Sequence, residues 1–345
     1  MKTILVTGGA GFIGSHTCVL LLGCGYNLII LDSFINSKES VIKKVINLSG
    51  IENLENKIKI FKGDIRDFGL LNKIFNVSKK ENKPIDAVIH FAGLKSVENS
   101  IRSPLSYWDV NVCGTINLIK VMEIYKCFTI IFSSSATIYG IPEVLPLKEI
   151  SAMKPFNTYG FTKATIEKIF YDMANLNENK WKIATLRYFN PVGAHPSGLI
   201  GEEPLAEPKN LFPYICQVAL GKRNELKIFG KDWDTSDGSG VRDYIHIMDL
   251  ASAHLASLIF LNDSKPRLIN LNIGTGKGIS VLEVVKTFEM VNKVKVPYSF
   301  SERREGDIAI YYADNNKAIS LLNWEPKYNL KDMCRDSWKW QKLNP

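Results

Sequence analysis

The first half of the chain alternates short, continuously apolar runs with segments of helical periodicity. The apolar runs are Ile4-Leu5-Val6, Leu28-Ile29-Ile30-Leu31, Ile58-Lys59-Ile60-Phe61, Ala87-Val88-Ile89-His90-Phe91, Thr129-Ile130-Ile131-Phe132 and Ile183-Ala184-Thr185-Leu186. A strand written this way is buried on both faces, the habit of a parallel sheet covered by helices; a strand with one wet face alternates instead. Between the runs, apolar spacing predicts helices over Cys18 to Leu22, Leu70 to Phe75 and Asn111 to Ile124. The alternation predicts an α/β fold built on a doubly wound, Rossmann-like parallel sheet, with ligands gathered beyond the carboxyl ends of its strands. Polar or small residues stand at several of those ends: Asp64, Ala92-Gly93 with Lys95, Ser133-Ser134-Ser135 and Asn190.

From about Asn190 the pattern loosens. Pro191, Pro196, Pro204, Pro208 and Pro213 punctuate long loops, and Asp232 to Gly240 is rich in aspartate and glycine. Leu226-Lys227-Ile228-Phe229 reads as a strand, Asp249 to Leu261 as a helix, and Ile269-Leu271-Ile273 as a strand that can return to the first domain. The expected division is residues 1–189 as a dinucleotide-binding domain and 190–345 as a smaller α/β substrate domain, with an interleaved boundary.

Composition narrows the class. With 345 residues, 46% hydrophobic and 23% charged, the chain has the makeup of one large or two intimate globular domains. No run approaches the roughly 20 apolar residues of a membrane helix, and the first strand begins at the N-terminus, so neither a membrane span nor a secretory leader is expected. Six cysteines without metal-ligand spacing read as reduced thiols in a cytoplasmic protein, with no metal site. The net charge of +8 raises the question of nucleic acid, but the lysines lie scattered among asparagines and glutamates, as in Lys79-Lys80-Glu81-Asn82-Lys83. That is a solvated surface, and no nucleic-acid partner is expected.

The chemistry begins at the first strand's exit. Gly8, Gly11 and Gly14 stand three positions apart where the first strand gives way to the first helix. Such a turn lets backbone approach a pyrophosphate and aims helix N–H groups at it. The second strand ends in Asp32, where a carboxylate accepts ribose hydroxyls and repels a 2′-phosphate, so the expected cofactor is NAD.

Tyr159 and Lys163 open a predicted helix that runs to Tyr171, four positions apart on one face. Bringing a tyrosine from a pKa near 10 to near 7 takes roughly 4 kcal/mol. One cation about 4 Å away supplies energy on that order at an effective dielectric near 20. Lys163 can be that cation, and an oxidised nicotinamide ring would add another. Ser135 ends the fifth strand and is placed to bridge Tyr159 and a substrate oxygen; Ser133 and Ser134 compete for that role, and strand alternation does not decide among them.

These segments together resemble the UDP-glucose 4-epimerase family of extended short-chain dehydrogenases/reductases, through nearly the whole chain. The resemblance is carried by Val6-Thr7-Gly8-Gly9-Ala10-Gly11-Phe12-Ile13-Gly14-Ser15-His16, His90-Phe91-Ala92-Gly93-Leu94-Lys95, Phe132-Ser133-Ser134-Ser135-Ala136-Thr137 and Tyr159-Gly160 with Lys163. More specific are Arg187-Tyr188-Phe189-Asn190-Pro191-Val192-Gly193-Ala194-His195-Pro196, Gly240-Val241-Arg242-Asp243-Tyr244-Ile245-His246 and Arg303-Arg304-Glu305-Gly306-Asp307. It implies reversible C4 epimerisation of UDP-glucose and UDP-galactose by transient hydride transfer to tightly bound NAD, through a 4-keto sugar. It implies Tyr159 as base, Lys163 as its partner and ribose ligand, and Ser135 as third member. NAD contacts are implied for Gly8, Gly11, Phe12, Ile13, Gly14, Asp32, Asn36, Ser37, Asp64, Ile65, Phe91, Ala92, Gly93, Lys95, Asn111, Ser133, Tyr159, Lys163 and Tyr188. UDP-sugar contacts are implied for Lys95, Ser135, Asn190, Asn210, Leu211, Arg242, Arg304, Asp307 and Tyr311. The bulk of Tyr311 implies refusal of N-acetylated sugars, and relatives imply a homodimer packed through Ser103 to Ile124 and Thr158 to Tyr171. Physical chemistry agrees with two arginine forks on a pyrophosphate, although adjacent Arg303 and Arg304 read by themselves as a solvated pair.

The chain departs from the pattern at Thr158, where relatives often carry proline, and at Leu205-Ala206-Glu207. Two enzymatic rivals and one of another class remain. A nucleotide-sugar 4,6-dehydratase needs an additional acid and base, where this chain has Ala136-Thr137. Epimerisation of a different nucleotide sugar shares the fold. A non-catalytic NAD-binding regulator is set against by the presence of both Tyr159 and Lys163.

Overall fold

The computed structural model describes residues 2–50, 57–176, 180–203, 208, 210–304 and 306–344. Pro204, the Leu205-Ala206-Glu207 departure and Glu305 lie outside them. The N-terminal half runs β1 (Thr3–Thr7), α1 (Phe12–Gly23), β2 (Asn27–Asp32), α2 (Ser40–Leu48), β3 (Ile58–Lys62), α3 (Phe68–Lys80), β4 (Ile85–His90), α4 (Val97–Arg102), α5 (Pro104–Tyr107), α6 (Gly114–Ile124), β5 (Thr129–Ser135), α7 (Thr158–Ala174) and β6 (Lys182–Tyr188). There follow β7 (Asn190–Val192), α8 (Leu211–Ala219), β8 (Leu226–Phe229), β9 (Val241–Arg242), β10 (Tyr244–His246), α9 (Ile247–Asp263), β11 (Arg267–Ile273), β12 (Ile279–Ser280), α10 (Val281–Asn292), β13 (Tyr298–Ser301), β14 (Ile310–Tyr311), α11 (Asn316–Leu322) and α12 (Leu330–Leu343).

The chain forms two compact units. The first comprises Met1–Gly140, Ser151–Tyr188 and Ala251–Leu271. Its centre is a seven-stranded sheet in the order β11-β6-β5-β4-β1-β2-β3, with β1 to β6 running parallel. The order reverses between β1 and β4, the switch point where a doubly wound sheet opens a crevice. Ile4, Leu5, Val6, Ile30, Val88, Ile89, Ile130 and Ile131 are fully buried. Burying such a side chain contributes roughly 1.5–3 kcal/mol, so the unbroken apolar runs follow from a sheet covered on both sides. The edge strand β3 keeps wet or partly wet positions, Ile60 among them.

Side-chain caps mark where two of the helices near the crevice start. Asp67 accepts from the Leu70 N–H at the head of α3, and Asn157 accepts from the Gly160 N–H at the head of α7. The Asn157 cap sets Tyr159 in the first turn of α7. The segment predicted as one helix over Asn111 to Ile124 opens instead with a π-helical turn at Trp108–Cys113 before α6. A single wide turn of this kind re-aims the side chains within it, and Asn111 lies there.

The second unit comprises Ile141–Ile150, Phe189–Leu250 and Asn272–Pro345. It holds three small sheets, β10-β7, β12-β9-β14 and β13-β8, packed with α8, α10 and α12 around Phe212, Ile215, Leu226, Val285, Phe288 and Trp338. Two segments change unit relative to their place along the chain. Residues 141–150 join the second unit because Leu147 bridges Ala313 and its carbonyl accepts from the Asn272 side chain. Residues 251–271 join the first because β11 adds to the sheet edge beside β6. The helix expected in the second domain therefore lies in the first from Ala251 onward.

Candidate active site

In the first unit, β1 gives way to the glycine turn. Gly8 has φ of +71°, and a Cβ there would stand 2.8 Å from the Ala92 nitrogen. A Cβ on Gly14 would stand 2.3 Å from the Gly8 carbonyl oxygen. Both collisions are with backbone, so both positions need glycine. Gly11 caps α1 without any side chain binding the helix's first N–H groups. Phe12, Ile13 and Gly14 thus begin a helix whose positive end is open to an anion.

Asp32 closes β2 and is buried. Its Oδ2 accepts from the Ala10 N–H at 2.9 Å, and its Oδ1 accepts from the Phe34 N–H and the Ser37 hydroxyl, each at 2.9 Å. Three donors orient the carboxylate and leave it capacity for a ligand hydroxyl. Asn36 lies exposed in the same loop. Asp64 is gripped by the Arg66 fork, Nε to Oδ1 at 2.9 Å and Nη2 to Oδ2 at 2.7 Å, which holds its carboxyl below the usual range. Ile65 is buried beside it, where a Cβ on Gly114 would meet its side chain at 2.5 Å.

At the end of β4, the Ala92 N–H donates to the Thr7 carbonyl, and the Asn111 side chain locks the next peptide, accepting from the Leu94 N–H at 2.7 Å and donating to the Leu94 carbonyl at 3.1 Å. Asn111 Nδ2 also donates to Thr162 Oγ1 at 3.1 Å, which ties this loop to α7. The amide of Asn111 is therefore committed to protein. Gly93 leaves room for it, and Lys95 stands exposed on the same loop. A bare helix N-terminus, glycines that no side chain can replace and an oriented carboxylate at the switch point fit a dinucleotide.

The carboxyl end of β5 carries the three serines, and the strand's pleat sends them different ways. Ser133 shares a hydrogen bond with the Tyr188 phenol, which is also bonded to His254 Nε2. Ser134 turns to the other face and donates to Glu167 Oε1 at 2.5 Å. Ser135 hydrogen-bonds Tyr159 and accepts from Thr137 Oγ1 at 3.0 Å. Of the three candidates, Ser135 is the one at the phenol.

Lys163 is buried; its Nζ donates to the Ser133 carbonyl at 2.6 Å and lies 5.7 Å from the Tyr159 ring centroid. In the protein alone, burial works against both members of the expected Tyr159–Lys163 pairing. Burial pushes the Tyr159 phenol up to about 12, with the Ser135 hydrogen bond pulling the other way. Burial also pushes Lys163 down to about 7, opposed by the Glu167 carboxylate. A half-charged ammonium turned toward a carbonyl does not outweigh the phenol's own desolvation. The protein's charges alone leave Tyr159 protonated at neutral pH.

In the second unit, Arg242 on β9 donates to Asp307 Oδ1 and, through Nη1, to the Val241 carbonyl at 2.9 Å. The Arg304 guanidinium lies 3.7 Å from the centroid of Phe229, and Arg303 lies 4.0 Å from that of Trp233 while donating to Asp232. Both arginines lie exposed, as a solvated pair would, and each stacks on an aromatic ring. Asn210 precedes α8, but its side chain donates to Glu202 at 2.6 Å rather than capping the helix that Leu211 opens. Asn190 lies on β7, whose backbone it joins to Asp243. Tyr311 is buried with its ring 5.7 Å from that of Phe189.

Two further groups escaped sequence reasoning. Asp243 is buried and accepts from Thr275 N–H and hydroxyl at 2.7 Å each, Gly276 N–H at 3.0 Å and Ala313 N–H at 3.1 Å, tying three segments around Arg242. Glu167 and Arg187 form a buried pair behind the serines. The signals were available: Glu167 continues the Tyr159–Lys163 face by one more turn, and Arg187 is a charge inside an apolar strand. Among the described residues no group of three or more His, Cys, Asp or Glu side chains is placed to hold a metal, and no helix is long and apolar enough to cross a membrane.

Fold and site together define a dinucleotide-binding α/β protein of the dehydrogenase/reductase kind, with a Ser-Tyr-Lys group at the exit of its central strands. A family model described as GDP-mannose 4,6 dehydratase matches residues 5–337. More narrowly, the chain belongs to the UDP-glucose 4-epimerase family. It is 49% identical to a UDP-glucose 4-epimerase of Cyamopsis tetragonoloba, covering 100% of this chain and 96% of that one. It is 48% identical to the UDP-glucose 4-epimerase of Bacillus subtilis, covering 99% and 97%. Among solved structures, the Stenotrophomonas maltophila UDP-glucose 4-epimerase with bound NAD and formylated UDP-arabinopyranose superposes with a TM-score of 0.94 at 45% identity, covering 100% and 99%. The Bifidobacterium longum enzyme with NAD⁺ and UDP gives 0.91 at 44% identity, again over 100% and 99%.

Proposed function

We propose that this chain interconverts UDP-glucose and UDP-galactose by epimerisation at C4, with NAD as a retained cofactor. The observation that carries the reading is the meeting of Ser135, Tyr159 and Lys163 in the unit that bears the glycine turn. The full-length identity to epimerases supports it, as do neighbours that hold NAD together with UDP or a UDP-sugar. The Ala136-Thr137 pair, without an ionisable side chain, weighs against dehydration.

The glycine turn with Phe12 and Ile13, the Asp32 loop with Asn36 and Ser37, the Asp64-Ile65 pair and the Phe91-Ala92-Gly93 turn would hold NAD, with Lys95, Ser133, Tyr159, Lys163 and Tyr188 toward its reactive end. Asn111 supports that surface through Leu94. Bound NAD⁺ would supply the hydride acceptor and donor for C4 of the sugar, and its positive ring would be the second cation beside the Tyr159 phenol. Tyr159 takes the proton from the sugar's 4-hydroxyl and returns it, Ser135 bridges the two oxygens, and Lys163 supplies positive charge beside them. Arg242, Arg304 and Asp307, with Asn190, Asn210 and Leu211, clamp the nucleotide end, so that a weakly held 4-keto sugar can turn over.

Tyr311, buried against Phe189, supports preference for the plain hexoses; efficient turnover of UDP-N-acetylglucosamine would overturn that preference. Exposed Ile101, Leu105, Ile124, Phe161 and Tyr171 on α4 to α7 support a homodimer through those helices, which sedimentation checks. Free buried thiols support a reducing, cytoplasmic setting.

The test is Tyr159→Phe. It is expected to retain NAD and to abolish conversion of UDP-galactose into UDP-glucose. Near-normal turnover in that variant rules out the assigned base.

A further inference from the structure

Behind the proton-transfer group lies a charged network that the mechanism above does not use. Glu167 sits one turn beyond Lys163 on α7, as Lys163 sits one turn beyond Tyr159, so the three line one helical face. Glu167 is 4% exposed and Arg187, on β6, 2%. The Arg187 fork donates from Nη2 to Glu167 Oε2 at 2.6 Å and from Nε to Oε1 at 3.1 Å, while Nη1 donates to the Tyr139 hydroxyl at 2.8 Å. Ser134 donates to the same Oε1.

We propose that Glu167 is a positioning residue for proton transfer: by holding Ser134 on the back of β5 it presents Ser135 and the Ser133 carbonyl to Tyr159 and Lys163, and it sets a carboxylate one helical turn beyond Lys163. The assignment rests on the epimerase reading of this site.

Two lines of argument meet in it. The first is geometric. Ser133, Ser134 and Ser135 are consecutive, so a strand that fixes the middle side chain on one face fixes both neighbours on the other. A slip or twist at Ser134 would move the carbonyl that receives Lys163 and the hydroxyl that meets Tyr159 together. The second is electrostatic. Lys163 is faced by the Phe132 ring and the Ser133 carbonyl from β5, by Tyr159 and Glu167 from its own helix and by His90 from β4, while Tyr188 from β6 acts on Tyr159. Tyr107 acts on Tyr159 from α5. His90 is held down to about 3 by burial, so it is neutral, bonded to Thr7 and Thr115. Tyr159 and Tyr188 are neutral phenols. The Arg187 fork faces Glu167. Glu167 is thus the group that favours the charged lysine against its desolvation.

The experiment uses the NAD-retaining protein and two variants, Glu167→Gln and the double substitution Glu167→Gln with Arg187→Met. The single variant removes the carboxylate and leaves a buried guanidinium; the double variant removes both charges at similar volume, which proteins often tolerate. Turnover at neutral pH is expected to fall about tenfold with KM within about twofold, and the alkaline limb of the rate profile to move about one unit toward acid, since one pKa unit is a tenfold change. Independently of activity, the Lys163 titration, followed by NMR on lysine-Cε-labelled protein and assigned by its loss in Lys163→Met, is expected to move down by a similar amount. A folded variant whose turnover, alkaline limb and lysine titration match the native protein overturns the proposal. So does a uniform loss of turnover with limb and titration unmoved, which marks a structural pair only. Failure of both variants to fold overturns it as well, by making the pair a folding element. None of these outcomes touches the assignment of Tyr159, which stands or falls on Tyr159→Phe.

Discussion

Two arginine–carboxylate pairs of the molecule, Arg187 with Glu167 and Arg242 with Asp307, are built in opposite ways. In the first unit, Arg187 and Glu167 leave 2% and 3% of their side chains exposed, and the arginine's donors all end on protein: Glu167, Tyr139 and the Met153 sulfur. In the second, Arg242 and Asp307 leave 20% and 30% exposed, and the arginine gives Asp307 a single nitrogen. The first pair is closed, with its desolvation offset by complete hydrogen bonding. The second is open, held by one contact that another anion can replace. A guanidinium with every donor committed orients its neighbours; one with donors to spare can receive a phosphate.

Breaking each pair exposes that difference. Arg187→Ala strands a buried carboxylate and should lower the unfolding free energy by about 3–5 kcal/mol, read as a large drop in the denaturant midpoint. Arg242→Ala removes a partly exposed contact worth about 0.2–1 kcal/mol. It should leave the midpoint nearly unchanged and raise KM for UDP-galactose at least tenfold. Equal losses of stability in the two variants would erase the distinction between orienting and receiving arginines.

Lys163 sharpens the comparison, because it is a buried charge without a full partner. Its pKa is about 7 in the folded protein against an ordinary 10.5. Between those values an unfolded chain binds a proton that the folded chain lacks, so native stability rises with pH across that window and is lowest below it. Lys163→Met removes the dependence. At roughly pH 6 the variant should be more stable than the native protein by about 1 kcal/mol, the size usual when a functional strain is relieved. The gap should close toward alkaline pH, and turnover should be lost throughout. A variant less stable than the native protein at acid pH would mean that the Ser133 carbonyl and the Phe132 face stabilise the ammonium more than burial costs it.

How much of this was legible in the sequence depends on what each residue answers to. The sheet was legible because Ile4-Leu5-Val6 and its counterparts obey burial alone, and a strand covered on both faces has one pattern. The glycine turn was legible because Gly14 answers to the backbone of Gly8 within the same turn, although Gly8 itself answers to Ala92 at the exit of β4. Tyr159 and Lys163 were found by helical spacing, but not their charge states, which depend on desolvation by elements far apart in the chain. The choice among Ser133, Ser134 and Ser135 needed the face of β5, which shows in the contact of Ser134 with Glu167 on another element. Unit membership was the least legible: residues 141–150 and 251–271 are placed by single bridges and by one sheet edge, which no local pattern announces.

The finest separation of the two pairs comes from salt. Exposed charges are screened over about 10 Å at 0.1 M and about 3 Å at 1 M ionic strength, whereas buried pairs are screened much less. Raising salt across that range should therefore weaken capture of the UDP diphosphate by the open arginine and raise KM about two- to fivefold. Turnover at saturation should hold within a factor of about two, because Tyr159, Lys163 and the closed pair lie out of reach of mobile ions. The melting temperature should hardly move, since an exposed contact contributes little to it. If saturated turnover instead falls with salt while KM stays fixed, then ions reach the group behind the serines, and the guanidinium of Arg187 is not closed in solution as it is here.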